Sequence, residues 1–150
     1  MAIMAMKTVK RATLRHFFAV VLIVGIESVV ALPRISDAIK DYRLNSAAGE
    51  VWQDMHRARL MAIREKRTIR VDFDHNSYKV VRVATGEVAF SRHPSIDYPE
   101  ISIIVTESRS GIVFDRTGSA EGGSKEIEIA GPTGSRRFTI LPTGKIGRLS

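Results

Sequence analysis

The residues able to do chemistry are few and dispersed. The four histidines are His16, His56, His75 and His93, and no two stand at a metal-ligand spacing such as His-Glu-x-x-His. The chain has no cysteine, which removes thiolate nucleophiles, disulfides and cysteine-held zinc. It leaves the compartment open, since many exported proteins also lack cysteine. Asp72-x-Asp74-x-Asn76 imitates the opening of a calcium loop. Its sixth position is Ser77 where glycine makes the turn, and its twelfth is Val83 where a bidentate glutamate belongs, so a turn between strands accounts for it. The glycines of 118–123 match neither a dinucleotide fingerprint nor a phosphate loop, and no serine sits in a nucleophile elbow. These spacings predict no catalytic residues, metal, cofactor or small-molecule substrate. His56 is expected on the solvated side of a helix, and His75 at a hairpin tip.

What remains is charge. The net charge is +7 over 150 residues, and the excess falls in three clusters. Lys7, Lys10, Arg11 and Arg15 precede the first apolar run, with no acid before Glu27. Arg57, Arg59, Arg64, Lys66, Arg67 and Arg70 form the second, against Glu65 alone. Arg136, Arg137, Lys145 and Arg148 follow the last acid, Glu128. Cations beside an apolar helix stay on the cytoplasmic side of a membrane. The other two clusters are anion sites or a solubilising surface.

The elements that position these residues begin with Phe17–Leu32, FFAVVLIVGIESVVAL. Sixteen helical residues span roughly 24 Å, somewhat short of a hydrocarbon core of about 30 Å. Counting back to Thr13 closes the gap, with Arg15 and His16 reaching toward the headgroups. A membrane helix is therefore expected over 13–33, behind a basic leader over 1–12. Glu27 either reaches water near the outer boundary or pairs with a neighbouring subunit. A cleaved secretory signal is the rival, but Ser28-Val29-Val30 and Val29-Val30-Ala31 are poor cleavage sites.

Helical periodicity continues past Pro33, which kinks a helix without ending it. Ile35, Ile39, Tyr42, Ala48, Val51, Trp52, Met55, Ala58 and Ala62 recur at steps of three and four, one stripe of an amphipathic helix over 34–66. The opposite face is read as Asp37, Lys40, Asp41, Arg43, Glu50, Asp54, Arg57 and Arg64. After Arg67 the period becomes two. Strands are expected at Thr68–Phe73, Tyr78–Val83, Glu87–Ser91, Ile101–Thr106, Gly111–Phe114, Lys125–Ala130, Arg136–Leu141 and Lys145–Leu149, separated by Gly- and Pro-rich turns. The fold class is α+β: a long N-terminal helix packed on a small antiparallel sandwich or two-sheet head over 67–150.

The order of these features resembles the GspH/FimT family of the type IV pilin and pseudopilin superfamily. The likeness rests on Gly25 with Ala31-Leu32-Pro33, on Tyr42-Arg43-Leu44-Asn45-Ser46-Ala47-Ala48, and on Ala58-Arg59 through Arg64. It rests further on Gly111-Ile112-Val113-Phe114-Asp115 with Gly118, and on Pro142-Thr143-Gly144-Lys145. The resemblance implies a minor subunit held in the bacterial inner membrane with its head in the periplasm. Such a subunit assembles with others into the pseudopilus of a type II secretion system or a type IV pilus. In the superfamily a peptidase cuts after a glycine, and a nearby glutamate contacts the neighbouring subunit. Counting back from Gly25 and Pro33, the processing junction falls between Arg11 and Ala12, and the glutamate position on His16. This departs from the pattern; the leader is uncleaved, degenerate or matured by another route.

Some relatives in the family are linked to DNA uptake through a basic C-terminal motif. Gly144-Lys145-Ile146-Gly147-Arg148 shifts the last charge of that motif by one place, to the other face of a strand, with no aromatic residue behind it to stack on bases. A solvated basic face is preferred to a DNA contact by Arg136, Arg137, Lys145 and Arg148. Three functions are carried forward: an assembling minor pilin or pseudopilin that contacts secreted cargo or partners through 84–100 and 116–124, a DNA-binding minor pilin, and a membrane anchor that never assembles.

Overall fold

The computed structural model describes residues 36–74, 77–106 and 111–150. The chain divides into two compact units, Met1–Ile39 and Lys40–Ser150. Residues 36–65 are helical (α1), the first four of them in the first unit. Among the described residues no helix is long and apolar enough to cross a membrane. The expected span 13–33, with His16, Gly25, Glu27 and Pro33, and the junction Arg11–Ala12 lie outside them.

Within the second unit, Leu44, Ala48, Val51, Met55, Ala58 and Ala62 follow one another at steps of four and three, and all are fully buried. Alanine at 47, 48, 58 and 62 lets the strands approach the helix closely. The stripe differs from expectation at both margins. Ile39 and Tyr42 are exposed, while Leu44 and Ala47 are buried. Tyr42 lies two residues from Leu44, about 200° around the axis, so the two cannot share a face. Asp54, expected among the solvated residues, is 6% exposed. It stands three residues after Val51 and four before Ala58, so helical geometry places it with them.

The helix ends in a Schellman arrangement. Lys66 takes a left-handed conformation (φ 52°), and Arg67 N–H donates to the Ala62 carbonyl at 3.2 Å. Glycine is the usual residue there, because a Cβ in this region costs about 1 kcal/mol. Lys66→Gly is expected to raise the stability of the head by about 0.5–1 kcal/mol, read from the urea midpoint at unchanged m-value.

Seven strands follow: β1 (Ile69–Asp74), β2 (Ser77–Arg82), β3 (Val88–Arg92), β4 (Ser102–Thr106), β5 (Ile112–Phe114), β6 (Lys125–Gly131) and β7 (Gly134–Ile140). They pair antiparallel in two sheets, of order β3-β2-β1-β5 and β4-β6-β7. Alternation sends Ile69, Val71, Val80, Ile112 and Phe114 of the first sheet, and Ile127, Ile129, Phe138 and Ile140 of the second, into one core with the helix stripe.

Two features depart from the expected strands. Residues 94–97 (Pro94–Asp97, α2) form a helical turn inside the segment read as loop, with proline opening it and Tyr98 N–H closing on the Pro94 carbonyl at 2.7 Å. The expected eighth strand, Lys145–Leu149, is not a regular strand. The tail makes one bridge, Ile140 with Ile146, and irregular backbone hydrogen bonds to Thr139 and Arg137. The Gly147 carbonyl turns instead to the indole N–H of Trp52, at 2.9 Å.

Candidate assembly surface

Two constellations hold α1 to the sheets, and both decide which surfaces are left free. The first joins the residues on which the family likeness rests. Asp115 follows β5 and closes a tight loop: one carboxylate oxygen accepts from Thr117 N–H at 2.8 Å, Thr117 O–H at 2.6 Å and Ser119 N–H at 2.9 Å. These hydrogen bonds, led by Thr117's, hold the Asp115 carboxyl below its usual range. The loop then presents the Gly118 carbonyl to Arg59 Nε of α1, which donates at 2.9 Å. The turn after β7 completes the latch, with Ala120 N–H donating to the Pro142 carbonyl at 2.9 Å and Gly144 lying directly against the Gly118 carbonyl. The motif residues Arg59, Gly118, Pro142 and Gly144 thus meet, and what they build is a structural lock.

The second constellation lies on the other side of α1. The buried Asp54 carboxylate accepts from Tyr78 O–H at 2.7 Å and from Arg92 Nε at 3.2 Å. Burial first, and then this hydrogen bond, push the Tyr78 phenol well above its ordinary range. Glu50 accepts from Tyr98 O–H at 3.4 Å, and the Arg57 guanidinium lies 4.6 Å from the centre of the Phe90 ring. Sequence reading missed this network. Its signal was the spacing of Asp54 within the buried stripe.

The basic tail is divided. In β7, Arg136 and Arg137 are consecutive and so point to opposite faces. Arg136 faces α1 and donates to Asp41 at 3.0 Å and to Asn45 at 2.8 Å. Arg137 faces outward and donates to Glu128 of β6 at 2.9 Å, with Glu126 at 3.8 Å. Hydrogen bonds from Ser135 and Arg137 hold the Glu128 carboxyl below its usual range. Lys145 and Arg148 are exposed, and neither forms an ion pair among the described residues.

His56 is not solvated as expected. Its ring packs edge-on against Trp52, centroids 4.3 Å apart, and Nε2 is buried without a hydrogen-bond partner among the described residues. Desolvation, then the Arg59 charge, lower its pKa from 6.5. A histidine that binds its proton more weakly when folded destabilises the fold as pH falls. Stability is therefore expected to be full above about pH 6.5 and to decline below it, before the carboxylates begin to titrate. Thermal unfolding between about pH 7.5 and 5 checks this; His56→Gln should flatten the profile over the upper part of that range.

The face of α1 turned away from the core carries Tyr42, Gln53, Arg57, Leu60 and Arg64, all exposed. Tyr42 and Leu60 are 73% and 54% exposed and five helical turns apart, so they lie on one line along the helix. Among the described residues no group of three His, Asp or Glu side chains converges on a metal position.

Comparison with known proteins agrees with this architecture. No curated protein sequence matches the chain. The crystal structure of the type IV minor pilin FimU from Pseudomonas aeruginosa (strain PAO1) is similar, with a TM-score of 0.63 and 18% identity over 74% of this chain and 90% of that one. The minor pseudopilin EpsH from the type II secretion system of Vibrio cholerae is similar with a TM-score of 0.57 and 13% identity, over 72% of this chain and 96% of that one. At these identities the likeness is one of fold. The family model for type II transport protein GspH matches residues 47–144, from the buried stripe of α1 through the latch at Gly144. The chain belongs to the GspH family, the minor pilins and pseudopilins of type II secretion systems and type IV pili.

Proposed function

We propose that this chain is an assembling minor subunit, anchored in the bacterial inner membrane by residues 13–33 with its head in the periplasm, and built into a pseudopilus or pilus beside other subunits. The observation that supports it is the exposed line of α1. One stripe of the helix is consumed by the head, while Tyr42 and Leu60 keep apolar surface on the opposite face. Large apolar side chains aligned on a helix are what a neighbouring helix covers. Residues 84–100 and 116–124 are further contact surfaces for partners or secreted cargo.

The experiment is to shear surface filaments from a strain carrying the chain and probe them for it, with the N-terminus of the membrane-bound form determined by mass spectrometry. Presence in filaments, and a cut between Arg11 and Ala12, support assembly through the pilin route despite His16. An intact N-terminus and absence from filaments identify a static anchor. The DNA-binding reading has weaker support, because Arg136 and Arg137 are already neutralised by Asp41, Glu126 and Glu128. It would return if duplex DNA bound the full chain and neutralising Lys145 and Arg148 abolished binding.

A further inference from the structure

The end of α1 farthest from residue 40 carries a basic depression beside the Asp115 loop. Lys66 and Arg67 follow the last helical turn, and Arg116 approaches from the β5–β6 loop. Together they line a depression of about 420 Å³ that also includes the exposed Val83 and Ala84. None of the three cations forms an ion pair among the described residues. Of the carboxylates beside them in sequence, Glu65 is bonded to another cation. Glu65 accepts from Arg82 in two hydrogen bonds, of 2.8 and 3.0 Å. Asp115 also lines the depression; one of its oxygens accepts from Thr117 and Ser119, and its charge offsets one of the three cations.

Three independent observations therefore coincide. The three cations form no ion pair among the described residues, and even with Asp115 beside them they leave the depression net positive. They adjoin apolar surface, with Val83 45% exposed. One of them, Lys66, occupies a left-handed position where glycine would be more stable. A strained residue kept at a surface that its fold does not require is a mark of use.

We propose that this end of the head docks an acidic face of a neighbouring subunit. Exposed apolar surface beside charged side chains is what a protein interface combines. A site for single-stranded nucleic acid would instead offer aromatic side chains to bases, and none lines this depression. Lys66, Arg67 and Arg116 would set the encounter rate and the salt dependence of docking, and Val83 the desolvated contact.

The proposal rests on the assembly reading, so the test scores the two separately. The full chain is expressed in its membrane with wild-type, Lys66→Gly, triple Lys66→Glu/Arg67→Glu/Arg116→Glu, and Lys145→Glu/Arg148→Glu sequences. Its amount in sheared filaments is measured beside its thermal stability. Wild type absent from filaments overturns the assembly reading and the docking surface with it. With wild type present, the triple variant is expected to fall roughly tenfold in filaments, the low end of electrostatic steering, while the tail variant stays near wild type. Lys66→Gly is expected to be more stable yet incorporated less, which misfolding cannot produce. Equal incorporation of all four overturns the docking surface alone. Retention of a short duplex DNA by wild type, lost in the triple variant while filament incorporation is unchanged, overturns it in favour of nucleic acid.

Discussion

Replacing Gly144 with alanine is expected to cost upwards of about 3 kcal/mol of head stability and to lower Tm by roughly 10 °C or more. Gly144 has φ of 75°, a region an L side chain enters at a cost of about 1 kcal/mol. The larger part is collision. An added Cβ would run into the Gly118 carbonyl oxygen and come within 2.8 Å of Arg59 Nε. The struck atoms are not loose. The Gly118 oxygen is held by Arg59, its loop is closed by Gly118 N–H on the Asp115 carbonyl at 2.9 Å, and Ala120 ties that loop to Pro142. To admit one methyl group the turn must part from the loop, which breaks the lock between α1 and the sheets.

Gly122→Ala is the matched control. Its φ is 81°, but its added Cβ would meet only the Lys125 side chain, nearest at 3.5 Å. It should lose about 1 kcal/mol, the conformational cost alone. Urea unfolding of both variants separates the two contributions. Equal losses would show that backbone strain, and not the contact with Gly118, decides the result.

The second large effect concerns the buried carboxylate. Asp54→Ala is expected to lower stability by about 2–3 kcal/mol, because Tyr78 O–H loses its acceptor inside the core. The Arg92 side chain is 51% exposed and can turn to water, which keeps the loss below that of a wholly buried ion pair. Tyr78→Phe should cost less, about 1 kcal/mol, since Asp54 keeps Arg92. Asp54 and Tyr78 share one bond, so the double variant should lose less than the sum of the singles. Strict additivity in that cycle would mean that the 2.7 Å contact contributes nothing, and the network would then be packing alone.

Much of the architecture was legible from residue periodicity. Steps of three and four marked α1, alternation marked the strands, and Gly- and Pro-rich pairs marked the turns between them. Where reading failed, long-range competition won. The tail alternates like a strand, but Trp52 withdraws the Gly147 carbonyl from the ladder. Tyr42 and Leu44 are both apolar, and only Leu44 is in helical phase with the buried Ala48, Val51 and Met55, a distinction that counting steps of three and four loosely does not make.

The sequence by itself determined the local structure of the described head, its family-like order of motifs and its cationic clusters, because those depend on neighbours a few residues apart. Only the tertiary structure decided what the charges and glycines do. Arg59 meets Gly118 across 59 residues, Asp54 meets Arg92 across 38, and Arg136 meets Asp41 across 95. No local pattern encodes such pairings, since they exist only once two sheets and a helix share one core. The same packing neutralises Arg136 and Arg137 of the basic tail and, among the described residues, leaves Lys66, Arg67 and Arg116 outside any ion pair.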